Sequence, residues 1–129
     1  MRAPLSSLFK SCVFLLLLAG AMVCVADSQG MVANSRRVIF DTPTRVGDVV
    51  LPVGEYQVRH SMEGENHIMT FRQMHVARGA KPAEARVKCT LVPLPEKART
   101  TKMFLNDAGP GQKNLVQLIF EGDSAKHVF

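Results

Sequence analysis

Hydrophobic patterning divides the chain into two unlike parts. Between Cys12 and Ala26 the residues are almost wholly apolar, around a run of Phe14-Leu15-Leu16-Leu17-Leu18. After Asp27 no window keeps apolar residues at i, i+3, i+4 and i+7 over three turns. Short runs of period two recur instead, each bounded by Gly, Pro, Asn or Asp. Alternation of this kind puts one set of side chains on a buried face and predicts strands rather than helices. Strands are expected over 37–40, 48–51, 55–61, 67–75, 85–92, 100–105 and 115–120, with a last short strand over 127–129. Segments 81–84 and 107–114 read as loops. Turn signals recur about every ten residues, as in antiparallel sandwiches and small barrels. The expected fold is therefore all-β: a single antiparallel β-sandwich, immunoglobulin- or fibronectin-like or a small barrel, of about seven or eight strands. It should occupy 36–129, after a flexible leader over 27–35.

Two local patterns sharpen this expectation. Leu51-Pro52-Val53-Gly54-Glu55-Tyr56-Gln57-Val58 sets Pro52 and Gly54 just ahead of the chain's one tyrosine. A tyrosine entering a strand of a Greek-key sandwich can fold its hydroxyl onto backbone a few residues upstream, burying the ring with its polar tip satisfied. The alternative is an ordinary turn followed by a tyrosine that merely packs. Further on, Glu63-Gly64-Glu65-Asn66 suits a two-residue type II′ hairpin, with Gly64 first in the turn. That register pairs Glu63 with Asn66, Met62 with His67, Ser61 with Ile68, His60 with Met69, Val58 with Phe71 and Tyr56 with Gln73. Alternation then gathers Tyr56, Val58, His60, Met62, His67, Met69 and Phe71 on one face, expected to meet the core.

The apolar run changes the arithmetic of the chain. Arg2 and Lys10 precede it, no acid occurs before Asp27, and small residues close it. That is the layout of a secretory signal peptide over 1–26, with cleavage after Ala26 or, as competitor, after Ala21. The rival is a retained membrane anchor, but a span takes about 20 apolar residues and this run has fifteen. The chain has 129 residues, three cysteines and net charge +5. Without residues 1–26 it has 103; Lys plus Arg falls from 16 to 14 against 11 acids, leaving +3. Cys12 and Cys24 leave with the signal, so Cys89 stands alone and no internal disulfide is available. The remaining basic residues are scattered, not gathered into the stripe that nucleic-acid binding requires. A periplasmic or secreted protein is expected, touching a membrane only through the signal segment if that stays uncleaved.

Candidate chemistry is confined to the hairpin. His60-Ser61-Met62 and His67-Ile68-Met69 are two His-x-Met units, crossed in the register above so that each His opposes a Met. Directly opposed residues have Cβ atoms about 4.5–5.5 Å apart, so His60, Met62, His67 and Met69 could converge. Imidazole and thioether suit copper, the thioether favouring Cu(I); Met74-His75 would add a further pair if the strand bends. The competing expectation is plain packing: methionine fills cores readily, and rim histidines can simply be solvated. Cys89, in phase with Val87 and Leu91, is expected to point inward as a small buried hydrophobe. No familiar catalytic or phosphate-binding motif occurs. Ser61, His67 and Asp107 could be assembled on paper into a triad, but any chain of this size permits such a choice.

The segment Val46-Gly47-Asp48-Val49-Val50-Leu51-Pro52-Val53-Gly54-Glu55-Tyr56-Gln57-Val58 resembles the V-G-x-x-x-L-P-x-G-x-Y-x-V stretch of small exported β proteins of bacteria, of acidobacterial type. The resemblance implies an exported β-sandwich and carries no ligand or catalytic residues. Taken together, the expectation is a non-catalytic binding or envelope-associated structural module without a cofactor. Its partner would be a protein or glycan of the cell envelope, or a second copy met through an edge strand. The alternative is a small periplasmic copper-binding protein. Tyr56, Pro52, Gly54, Gly64 and Cys89 are expected to be structural.

Overall fold

The structure is a computed structural model that describes residues 33–129; the expected signal peptide and both cleavage positions lie outside the described residues. Nine strands follow one another: β1 (Ser35–Phe40), β2 (Thr44–Val46), β3 (Val49–Leu51), β4 (Gly54–Glu63), β5 (Asn66–Gln73), β6 (Glu84–Pro93), β7 (Lys102–Gly109), β8 (Gln112–Ile119) and β9 (Ala125–Val128). Among the described residues there is no helix, as the absence of a 3.6-residue period requires. The strands form a single, mostly antiparallel open sheet in the order β1-β4-β5-β6-β9-β8-β2-β3, with β7 added along β8. The parallel contact is a short one between β2 and β8.

Connection lengths dictate the shape of this sheet. β1 and β2 stand six places apart in the strand order, yet only residues 41–43 join them. Six flat spacings would measure about 29 Å, whereas the four residue steps from Phe40 to Thr44 reach at most about 14 Å. The sheet must therefore roll until its two ends approach each other. The core confirms it: Phe40 of β1 and Leu51 of β3, from opposite ends of the order, share one cluster with Tyr56, Val58, Met69, Phe71, Leu115 and Leu118. β6 makes the bend, pairing with β5 over Glu84–Cys89 and with β9 over Thr90–Pro93.

The β4–β5 pairing has the register read from the sequence at every position, from Tyr56–Gln73 to Glu63–Asn66. Gly64 sits at φ +60° and Glu65 is not in the left-handed region, the combination a type II′ turn needs. The Tyr56 hydroxyl donates to the Pro52 carbonyl at 2.7 Å, so the fully buried ring keeps its polar tip satisfied. Gly54, at φ +155°, supplies the backbone excursion between these two residues.

Several elements differ from the sequence expectation, β9 among them, which runs Ala125–Val128 rather than 127–129, and β5, which ends at Gln73 rather than at 75. β2 has only three residues, too few to display a period; buried Thr44 and Val46 hold it. β1 starts at Ser35 rather than at 37, because residues beyond the alternating stretch still pair with β4. The segment 107–114 is the tip of a hairpin rather than a loop: β7 runs to Gly109 and β8 starts at Gln112. Gly109, Pro110 and Gly111 serve a tight turn while Asn114 pairs within β8, and bulges beside Leu105 and Gly109 absorb the register shift.

Candidate metal centre

Four strands adjacent in the sheet order each send one potential ligand to the inner face: His60 from β4, His67 from β5, Cys89 from β6 and His127 from β9. Register places them. His67 lies directly opposite Cys89, His60 is diagonal to His67, and His127 opposes Leu91, two residues beyond Cys89 and therefore on its face. The parity that buries Val58, Met69 and Ala85 also turns His60, His67 and Cys89 inward, as that of buried Ala125 turns His127, although in β5 the neighbouring Ile68 is buried as well.

The side chains meet. His60 Nε2 and His67 Nδ1 are 3.1 Å apart, their rings stacked with centroids 5.2 Å apart. The rings of His60 and His127 are tilted at 5.4 Å. Cys89 Sγ is 3.6 Å from His127 Nδ1, and one donor atom each of His60, Cys89 and His127 lie within 4.8 Å of one another. A tetrahedral ion bonded to sulfur at about 2.3 Å and to nitrogen at about 2.0–2.1 Å holds those donors about 3.5–3.6 Å apart. The Cys89–His127 separation already has that value.

Burial sets the protonation of the group. His127 is 1% exposed and its imidazole is pushed down to about 4, by desolvation first and then by the charges of His60 and His67. His60 is lowered by desolvation and then by the charge of His67, with Asp123 opposing. Burial pushes the Cys89 thiol up to about 11. His60 and His127 are thus held neutral, the form in which imidazole binds metals, while the thiol must give up its proton to become a ligand.

The segment between β8 and β9 fixes the last ligand. Asp123 accepts at Oδ1 from Arg36 Nη2 at 3.0 Å and from the Ala33 amide at 3.3 Å. Backbone bonds Ala98 N to Asp123 O, Gly122 N to Ala98 O and Leu94 N to Ser124 O tie the same segment down. Phe120 meets the His127 ring edge-on at 5.9 Å.

Of the residues singled out from sequence, His60 and His67 are brought into contact. The two methionines occupy opposite environments: Met69, the register partner of His60, is 1% exposed, and Met62, the partner of His67, is 52% exposed. His75 stands away from the group: β5 ends at Gln73, and His75 turns out at φ 56° to pair with Glu55 at 3.1 Å. The paper triad is not assembled either. Ser61 is exposed on the opposite face of β4, and exposed Asp107 pairs with Lys113. Cys89 is buried as its parity indicated, but beside His127 rather than among apolar neighbours alone. His127 itself escaped sequence reasoning. The available signal was the alternation Ala125-x-His127-x-Phe129, which gives it inward parity.

Comparison of the chain with known protein families, with curated proteins and with solved structures finds no match.

Proposed function

We propose that this is an exported, non-catalytic β module that holds one transition-metal ion between His60, Cys89 and His127, with His67 in contact with the group. The observation that carries this reading is the convergence of an imidazole, a thiol and a second imidazole from three strands, within 4.8 Å, on the buried face. Nitrogen and sulfur donors suit copper or zinc and not the oxygen-seeking calcium or magnesium. The rolled sheet is read as a small sandwich, and the resemblance around Leu51–Tyr56 supports export to the cell envelope. Copper remains the favoured ion, but its ligands are drawn from β6 and β9 as well as from the hairpin.

The test is a titration with Zn(II) and Cu(I) of the full chain carrying Cys12→Ser and Cys24→Ser, so that Cys89 is the one thiol. One ion per chain, bound below micromolar concentration and released in Cys89→Ala/His127→Ala, is the expected result. Absence of binding, or binding indifferent to that double variant, would remove the reading.

A second reading rests on the sheet ends. β1 and β3 terminate the strand order and carry exposed Ile39, Val49 and Val50. Such an edge can add a strand of an envelope protein, accept a glycan on its apolar rim, or meet a second copy. Sedimentation over a concentration series, repeated with Val50→Lys, addresses the last of these.

A further inference from the structure

We propose that the centre is a trigonal His2Cys copper site, with Met69 as a fourth, weak ligand and His67 as the residue that positions His60. This rests on the reading of the cluster as a metal centre and assigns its ion and its ligand roles.

The donor set decides the ion. His60, His127 and Cys89 supply two nitrogens and one sulfur. A closed zinc site needs a fourth nitrogen or sulfur of comparable strength, and His67 is the one remaining imidazole of the cluster. Its Nδ1 is already engaged with His60 Nε2 at 3.1 Å. That contact leaves His60 Nδ1 for the ion and gives His67 the part metal-binding histidines usually require: a hydrogen bond on the far nitrogen that fixes tautomer and ring orientation. The fourth position then falls to Met69. It is the direct register partner of His60, on the same inward face and 1% exposed, and directly opposed residues hold their Cβ atoms about 4.5–5.5 Å apart. Two imidazoles, a thiolate and one weak thioether are the set that copper adopts and that hard ions avoid.

The surroundings fit the same assignment. His127 is shielded by the edge-on ring of Phe120. A cleft of about 360 Å³ opens along His67, Cys89, Val128 and Phe129, with Glu65 and Lys88 among its remaining walls. Cys89 and His67 are the members of the group that line this cleft. Met62, half exposed opposite His67 near the turn, takes no part.

The experiment adds Cu(II) to the full chain carrying Cys12→Ser and Cys24→Ser and records visible absorption and electron paramagnetic resonance. An intense thiolate-to-copper charge-transfer band with narrow copper hyperfine splitting is expected. Cys89→Ser should lose the band. Met69→Leu should keep it at shifted energy and raise the reduction potential, while Met62→Leu leaves both unchanged. His67→Ala should weaken copper binding about 10–100-fold with the band retained. Far-UV circular dichroism and thermal unfolding establish that each variant folds. A spectrum of tetragonal nitrogen–oxygen copper, or a Met69→Leu protein indistinguishable from its parent, overturns the proposal. Co(II) separates the levels of failure. A Cys89-dependent thiolate–cobalt band without the copper signature sinks the copper assignment alone, and no binding of any ion sinks the metal centre with it.

Discussion

Cys89 Sγ and His127 Nδ1 lie 3.6 Å apart in the buried face of the sheet, although 38 residues separate them in the chain. Such a pair is familiar as an activated nucleophile, in which the imidazole takes the thiol proton. Here burial opposes both charges, holding the thiol near 11 and the imidazole near 4. The pair is therefore neutral, a thiol beside an imidazole rather than a thiolate beside an imidazolium.

That assignment predicts a sluggish thiol. The thiolate is the reactive form, and a pKa of about 11 against an ordinary 9.0 makes it about 100-fold scarcer at neutral pH. With Cys12 and Cys24 replaced by serine, iodoacetamide should label Cys89 in the folded protein at least that much more slowly than in urea. Labelling at the rate of a free thiol would contradict the neutral, buried pair.

Tyr56 should impose an alkaline limit on stability. Its hydroxyl donates to the Pro52 carbonyl and its ring is fully buried, and desolvation raises its pKa above the ordinary value of 10.0. A raised pKa means that the unfolded chain ionises first. The stabilisation is fully present below pH 10 and is lost as pH rises through the folded-state value. Tyr56→Phe removes one hydrogen bond, costing about 0.5–1.5 kcal/mol at neutral pH. The gap between wild type and Tyr56→Phe in urea unfolding should narrow above pH 10; a gap constant to pH 11 would contradict this.

These features were unequally legible in the sequence. The β4–β5 register could be read to the residue because Gly64 fixes the turn and alternation fixes the faces, so one choice sets every pair. The contact of His60 with His67 followed from it. What joins β5 to β6 and β6 to β9 is set by the rolling of the whole sheet, and no local pattern specifies it. Cys89 could thus be given its inward parity but not its neighbour, and His127 could not be recruited at all. β2 was invisible for a simpler reason: Thr44–Val46 is held by burial between other strands, and three residues carry no period.

The crossed methionines of the hairpin should differ sharply in energetic weight. Met69 is 1% exposed within the core cluster, whereas Met62 is 52% exposed near the turn. Met69→Ala should destabilise by about 2–5 kcal/mol, from lost burial and the cavity left behind. Met62→Ala should stay within about 0.5 kcal/mol. Chemical unfolding of the metal-free protein measures both, and equal losses would show that the buried part of this face extends to the turn end of the hairpin, which the 52% exposure of Met62 contradicts.

Arg36 and Asp123 supply the last prediction, because they anchor the segment that presents His127. Asp123 is 3% exposed, and Oδ1 accepts from Arg36 and from the Ala33 amide. Oδ2 is buried with no hydrogen-bond partner among the described residues. Desolvation raises the carboxyl pKa even though Arg36 pulls the other way. Removing the guanidinium in Arg36→Leu leaves desolvation opposed by the Ala33 amide and His60 alone and raises it further. A raised carboxyl pKa is a stability that falls as pH climbs through the folded-state value, since the unfolded chain ionises first. Arg36→Leu should therefore cost more at pH 7, where the carboxylate is charged and unpaired, than at pH 4, where a proton replaces the lost partner. The pH 7 loss should be about 1–3 kcal/mol, towards the lower end because Arg36 is one-third exposed and screened by solvent. Urea unfolding at both pH values, with Asp123→Asn in parallel, measures the difference. In the Asp123→Asn background the Arg36→Leu loss should lose its pH dependence. A loss equal at pH 4 and pH 7 in the parent background would show that Arg36 stabilises the segment by packing rather than by charge.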